Sequence, residues 1–105
     1  MIRIILACQF GASTDLLAVK MQEAAKNIEI DVTVNAYSYT SLEQVIDEAD
    51  IILLGPQIRF KKNALEKQFA DKNVAFMVID PSDYGMLNGE KVLRSAVEMV
   101  ENRRR

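Results

Sequence analysis

The stretch Ile51-Ile52-Leu53-Leu54, entered from Asp50 and left at Gly55-Pro56, is apolar at every position and too short to stand as a helix. A strand with no polar side must be covered on both faces, and sheets covered on both faces are built from parallel strands with helices above and below. Residues 2–7 form a second run of this kind, broken only by Arg3, and residues 74–79 read as a further strand. Between these runs the period changes. Leu17, Met21, Ala24 and Ile28 fall on one face of a helix expected over about 14–27. Leu42, Val45, Ile46 and Ala49 mark a short second helix, introduced by the capping-box spacing of Thr40 and Glu43. Leu65 and Phe69 belong to a third over about 63–70, and Leu93, Ala96, Val97 and Val100 to a last one. Ile30, Val32, Val34 and Ala36 alternate with Asp31, Thr33 and Asn35, the pattern of an edge strand with one wet face. Residues 80–88 read as a loop.

Strand and helix therefore alternate, with connections too long for hairpins, which implies parallel strands and right-handed crossovers. The fold class is α/β: a four-stranded parallel sheet in the order 2-1-3-4 with helices on both faces. Residues 1–105 are expected to form one domain. The reversal of strand order between strands one and three places a ligand site beyond their carboxyl ends. The segments found there are "CQFGAST" and "GPQIR".

Composition narrows the chemistry further. The chain has one cysteine and no histidine, so it has no internal disulfide and lacks the usual zinc ligands; a reducing cytoplasm is the expected setting, with no metal and no cofactor. The formal charge of −2 argues against nucleic acid as a general partner. No apolar run approaches the roughly 20 residues of a membrane span, so no direct membrane insertion is expected. The apolar start reads as a strand and not as a signal peptide, because no small-residue cleavage site follows it. Arg103, Arg104 and Arg105 read as a frayed terminus favoured by the preceding helix dipole.

The single cysteine, Cys8, falls where the first strand gives way to a glycine loop and a helix. A helix N-terminus points unpaired N–H groups and a positive dipole end at such a loop, an arrangement that favours an anion. The same field favours a thiolate, and helix N-termini bring cysteine pKa values from about 8.5 to roughly 3.5–7.5. Cys8 is thus the candidate nucleophile. The segment Gln9, Phe10, Gly11, Ala12, Ser13, Thr14 and Asp15 is the candidate phosphate loop, with Gly11 folding close to the anion and Ser13 and Thr14 adding hydroxyl donors. The plain alternative is a small buried hydrophobe at a strand end, with Ser13 as a helix cap. A low-molecular-weight phosphatase or arsenate reductase would carry an arginine at the position of Thr14; without that bidentate clamp hydrolysis is expected to be poor and a phosphoryl carrier fits better. A receiver domain lacks its carboxylates here, and a flavodoxin leaves the cysteine unexplained.

Together, "LACQFGASTDLL", "ADIILLGPQIRF" and "VIDPSDYGMLNGEKVL" resemble the enzyme IIB component of the phosphoenolpyruvate-dependent sugar phosphotransferase system, lactose and cellobiose family, over nearly the whole chain. The resemblance implies a flavodoxin-like fold and a phosphotransferase in which Cys8 takes a phosphoryl group from a histidine of a IIA protein. Cys8 then passes it to a sugar bound by a membrane IIC permease. Gln9 and Phe10 are bulkier than the small pair common in that family, and Phe10 reads as a docking contact. Asp15 stands where many members carry serine and is expected to turn outward. Gln57 reads either as a polar loop residue or as an amide donor to a phosphate oxygen. Arg59, Lys61 and Lys62 read either as an attraction for an acidic partner or as a solvated basic helix start. Tyr84 and Gly85 are expected to border the site, with Tyr84 a lid or a packed ring, and Asp80 to form a turn with Pro81. A phosphatase-like enzyme and a non-catalytic phosphate-binding regulatory module stay as alternatives.

Overall fold

The computed structural model describes residues 1–9 and 12–105, and of Ala12 and Ser13 the backbone alone. Four strands, β1 (Ile2–Cys8), β2 (Val32–Ser38), β3 (Ile51–Leu54) and β4 (Ala75–Val78), form one sheet in the order β2-β1-β3-β4. Every neighbouring pair is parallel, with Ile4 opposite Val34 and Ile51, and Ile52 opposite Phe76. The helices are α1 (Ala12–Asn27), α2 (Leu42–Val45), α3 (Lys62–Gln68), α4 (Pro81–Gly85) and α5 (Gly89–Arg104). Single-turn 3-10 segments cover Tyr39–Ser41 and Ile46–Glu48, and a longer one covers Pro56–Lys61. The class and strand order are those expected from the apolar runs.

Side-chain alternation along the strands splits the core in two. Ile4, Leu6, Ile51 and Leu53 pack with Leu17 and Met21 of α1 and Leu93 and Ala96 of α5. Ile5, Ala7, Ile52 and Leu54 face the other way, onto Leu42, Ile46, Ile58, Leu65 and Phe69. All four residues of β3 are 0% exposed, which is why none of them is polar. Burying each such aliphatic side chain is worth about 1.5–3 kcal/mol, so the two central strands carry much of the driving force.

Helices α1 and α5 lie on the same face and meet closely. A Cβ on Gly89 would stand 2.6 Å from the Lys20 carbonyl carbon and 2.7 Å from its oxygen. Only a residue without a side chain lets the first turn of α5 rest on the α1 backbone.

The amino edge of the sheet is fastened by charge. The Arg3 backbone N–H donates to Asp50 Oδ2 at 2.7 Å, and its guanidinium reaches Asp50 Oδ1 at 3.3 Å. Arg104, at the end of α5, lies 3.5 Å from Asp50 Oδ2 and donates to the Met1 carbonyl oxygen at 3.5 Å. Burial pushes the Asp50 carboxyl up, but the hydrogen bonds and charge of Arg3, with the charge of Arg104, outweigh it and hold the group below its ordinary value.

Four local expectations are corrected. Helix α1 begins at Ala12, earlier than residue 14. Thr40 and Glu43 form no capping box: Ser38 caps the 3-10 turn by accepting from the Thr40 N–H, and Ser41, ahead of α2, makes no side-chain cap. The 80–88 segment holds helix α4, because Asp80 accepts from the N–H groups of Ser82 and Asp83 at 2.8 and 3.2 Å and Pro81 fits a first helical position. The arginine tail is no frayed end as far as Arg104, since α5 runs that far and Arg103 donates to Asn73 Oδ1 at 3.3 Å.

Candidate functional site

Cys8 is the last residue of β1, and its alternation with Ile4 and Leu6 puts its side chain on the α1 face. It is 2% exposed. The chain re-enters regular structure at Ala12, so the N-terminus of α1 faces the end of β1 across a short loop. Thr14, in the first turn of α1, is 0% exposed, and its hydroxyl donates to Cys8 Sγ at 3.5 Å. A positive helix end and a hydroxyl donor both favour negative charge on that sulfur. Asp15 is exposed in the same turn, outward as expected. The expectations for Phe10 and Gly11, and for the side chains of Ala12 and Ser13, lie outside the described residues.

On the β3 side, Gly55 continues the ladder past Leu54, donating its N–H to the Ala7 carbonyl at 2.9 Å. A Cβ at Gly55 would lie 3.7 Å from Cys8 Cβ and 3.0 Å from Gln57 Oε1. The absence of a side chain at 55 thus leaves the Gln57 carboxamide room against Gly55, and Cys8 borders the same glycine at the reversal of strand order. Arg59 is held differently: its guanidinium donates to the Pro56 carbonyl at 2.9 Å, within its own turn. Lys61 Nζ sits 4.7 Å from the Tyr39 ring centre, and Lys62 pairs with Glu66 at 3.3 Å. These basic groups are engaged locally.

On the β2 side the structure adds a residue that the sequence did not single out. Ser38 stands opposite Cys8 in the parallel register, and its hydroxyl donates to the Gln9 carbonyl at 3.0 Å. It also lies 2.9 Å from Thr40 Oγ1. Its only signal in the sequence is a hydroxyl at the end of a strand that neighbours the cysteine strand.

Beyond β4, the Tyr84 ring packs against the α1/α5 core, and its buried hydroxyl has no hydrogen-bond partner among the described residues. Of the two readings of Tyr84, this is the packed ring. Gly85 ends α4 and is exposed. Asp80 serves α4 as its cap, so its carboxylate is spent on backbone N–H groups.

Among the described residues no helix is long and apolar enough to cross a membrane. Residues 3–95 match the family model described as the lactose/cellobiose-specific IIB subunit of the phosphotransferase system (PTS). The chain is 36% identical over 100 residues to the oligo-beta-mannoside-specific EIIB component of the PTS of Bacillus subtilis (strain 168), covering 95% of this chain and 97% of that protein. Its fold matches the solution structure of the cellobiose-specific IIB component of Borrelia burgdorferi with a TM-score of 0.79 and 39% identity, over 96% of this chain and 93% of that one. The lactose-specific IIB domain of Streptococcus pneumoniae superposes with a TM-score of 0.83 at 20% identity, over 92% of this chain and 95% of that one, which shows a shared fold. The chain is a member of the lactose/cellobiose-specific IIB family of the sugar phosphotransferase system.

Proposed function

We propose that this chain is a cytoplasmic phosphocarrier that accepts a phosphoryl group on Cys8 from a phosphohistidine of a IIA protein and delivers it to a sugar held by a membrane IIC permease. The observation that carries the proposal is the placement of Cys8 at the switch between β1 and β3, facing the first turn of α1, with a hydroxyl donor on its sulfur. In the first step the sulfur attacks phosphorus, the S–P bond forms and the N–P bond breaks. The electron pair goes to the imidazole nitrogen, which takes up the proton the thiol gave up. In the second step a sugar hydroxyl oxygen attacks phosphorus, the S–P bond breaks, the thiolate leaves, and the hydroxyl proton passes to solvent.

Gln57 donates its carboxamide N–H to a phosphoryl oxygen, a role supported by the closeness of its carboxamide to Gly55, where a half-turn of the amide exchanges Oε1 for Nε2. Gln9, Phe10, Gly11, Ala12, Ser13 and Thr14 are the segment that receives the anion, with Asp15 turned away from it. Thr14 at the position of a phosphatase arginine leaves the phosphoryl group without a guanidinium clamp, so the phosphothiol outlives a phosphatase intermediate. The segments following β1, β3 and β4 carry the exposed apolar side chains Leu16, Phe60 and Met86, which suit transient contact with the protein partners. The test is a comparison of donors. A carrier is labelled once by phospho-IIA and turns over p-nitrophenyl phosphate no faster than buffer does, whereas multiple turnovers of p-nitrophenyl phosphate identify a phosphatase.

A further inference from the structure

The hydroxyl of Ser38 has its direction fixed by its neighbours. The Gln9 carbonyl only accepts, so the single Ser38 hydrogen goes to it, across 3.0 Å. In the 2.9 Å contact between Ser38 and Thr40 the hydrogen must then come from Thr40 Oγ1, and the Thr40 N–H donates to the same Ser38 oxygen at 3.4 Å. The result is a one-way chain from Thr40 through Ser38 to the carbonyl of the residue that follows Cys8, and each bond polarises the next.

Gln9 is exposed, so water would satisfy its carbonyl as well as a serine does. What Ser38 adds is direction. A peptide oxygen turned toward a phosphoryl group on Cys8 would repel it, and a tie to the edge strand keeps the negative end of the first loop peptide at β2. The parallel register makes this tie available, since Ser38 is the residue opposite Cys8.

We infer that Ser38 is a positioning residue for phosphoryl transfer, holding the Gln9 carbonyl at the mouth of the loop through the chain that begins at Thr40. The inference rests on the phosphocarrier reading above and names a residue that acts through the loop, without touching phosphate itself. Ser38 also caps the 3-10 turn Tyr39–Ser41, so a structural contribution must be separated from the positioning one.

The experiment charges a IIA protein through phosphoenolpyruvate and the general phosphotransferase proteins. It then follows the initial rate of label on wild type, Ser38→Ala and Ser38→Thr by intact mass at several phospho-IIA concentrations. Ser38→Ala is expected to lower the maximal rate roughly three- to tenfold, the effect of one hydrogen bond, with an unchanged half-saturating concentration. Ser38→Thr, which restores both the donor and the cap, is expected at the wild-type rate, and all three proteins are expected to be fully folded at the assay temperature. A wild-type maximal rate in Ser38→Ala, a Ser38→Thr as slow as Ser38→Ala, or a slow Ser38→Ala that is partly unfolded under the assay conditions overturns the inference. Wild type that takes no label, or takes it away from Cys8, overturns the phosphocarrier reading itself.

Discussion

Thr14 donates its hydroxyl hydrogen to Cys8 Sγ at 3.5 Å, and both residues are almost wholly buried. Cys8 ends β1 and Thr14 lies in the first turn of α1, so the contact ties strand to helix as well as stabilising negative charge on sulfur. Replacing Thr14 with valine keeps the shape and removes the donor. Thr14→Val is expected to slow phosphoryl acceptance roughly three- to tenfold, and Thr14→Ser to stay closer to wild type. Stopped-flow mixing with phospho-IIA reads the rate, and an unchanged rate in Thr14→Val would remove the hydroxyl from the chemistry.

Gly55 makes room for Gln57 rather than for an unusual backbone angle, since its φ of −58° is open to any residue. An alanine there meets the mobile end of Gln57 at 3.0 Å, a contact that the side chain can relieve by swinging away. Gly55→Ala is therefore expected to fold with little loss of stability while slowing transfer to about the level of Gln57→Ala. Equal rates for Gly55→Ala and wild type, with a slow Gln57→Ala, would contradict this coupling.

The parts of the fold that were legible in the sequence are those set by burial on both faces. Ile51 to Leu54 and the run through Leu6 had no polar side to offer, and that, with the one wet face of β2, put β1 and β3 in the middle of the sheet. Helix α4 was hidden because its five residues carry no apolar stripe; it forms through the Asp80 cap and Pro81, features that serve a turn equally well. Arg3 looked like an interruption of a strand, and only the sheet brings it to Asp50. At the site, Cys8 and its loop were visible as a strand–loop–helix pattern, and Gln57 from the segment after β3. Ser38 was not visible, because its tie to Gln9 spans 29 residues and exists only in the parallel register of β1 and β2.

The crossing of α1 and α5 sets a limit on residue 89. Alanine is the better helix former, yet its Cβ would fall inside the contact radius of the Lys20 backbone, which cannot rotate away. Gly89→Ala is expected to destabilise the fold by about 1–3 kcal/mol through forced separation of the helices. A urea-unfolding midpoint equal to or above that of wild type would contradict the packing described for this crossing.

Asp50 gives the fold an acid sensitivity. Its carboxyl is held below the ordinary value in the folded state, so the stabilisation it confers is fully present above the unfolded pKa of about 3.9 and is lost as pH falls through the lower folded value. In Asp50→Asn that part of the pH dependence disappears. Unfolding midpoints measured from about pH 5 downward should fall more steeply for wild type than for Asp50→Asn, with the curves converging in acid. Parallel curves would mean that Arg3 and Arg104 add nothing to the folded state through this carboxylate.

The most direct measurement is intact-mass spectrometry at neutral to mildly alkaline pH, after incubation with phosphoenolpyruvate, the general phosphotransferase proteins and candidate IIA proteins, on wild type and Cys8→Ser side by side. One phosphate on wild type and none on a folded Cys8→Ser is the predicted result, and the IIA protein that supports it is the donor. Label on Cys8→Ser, or none on wild type with any IIA protein, would contradict a phosphocysteine carrier.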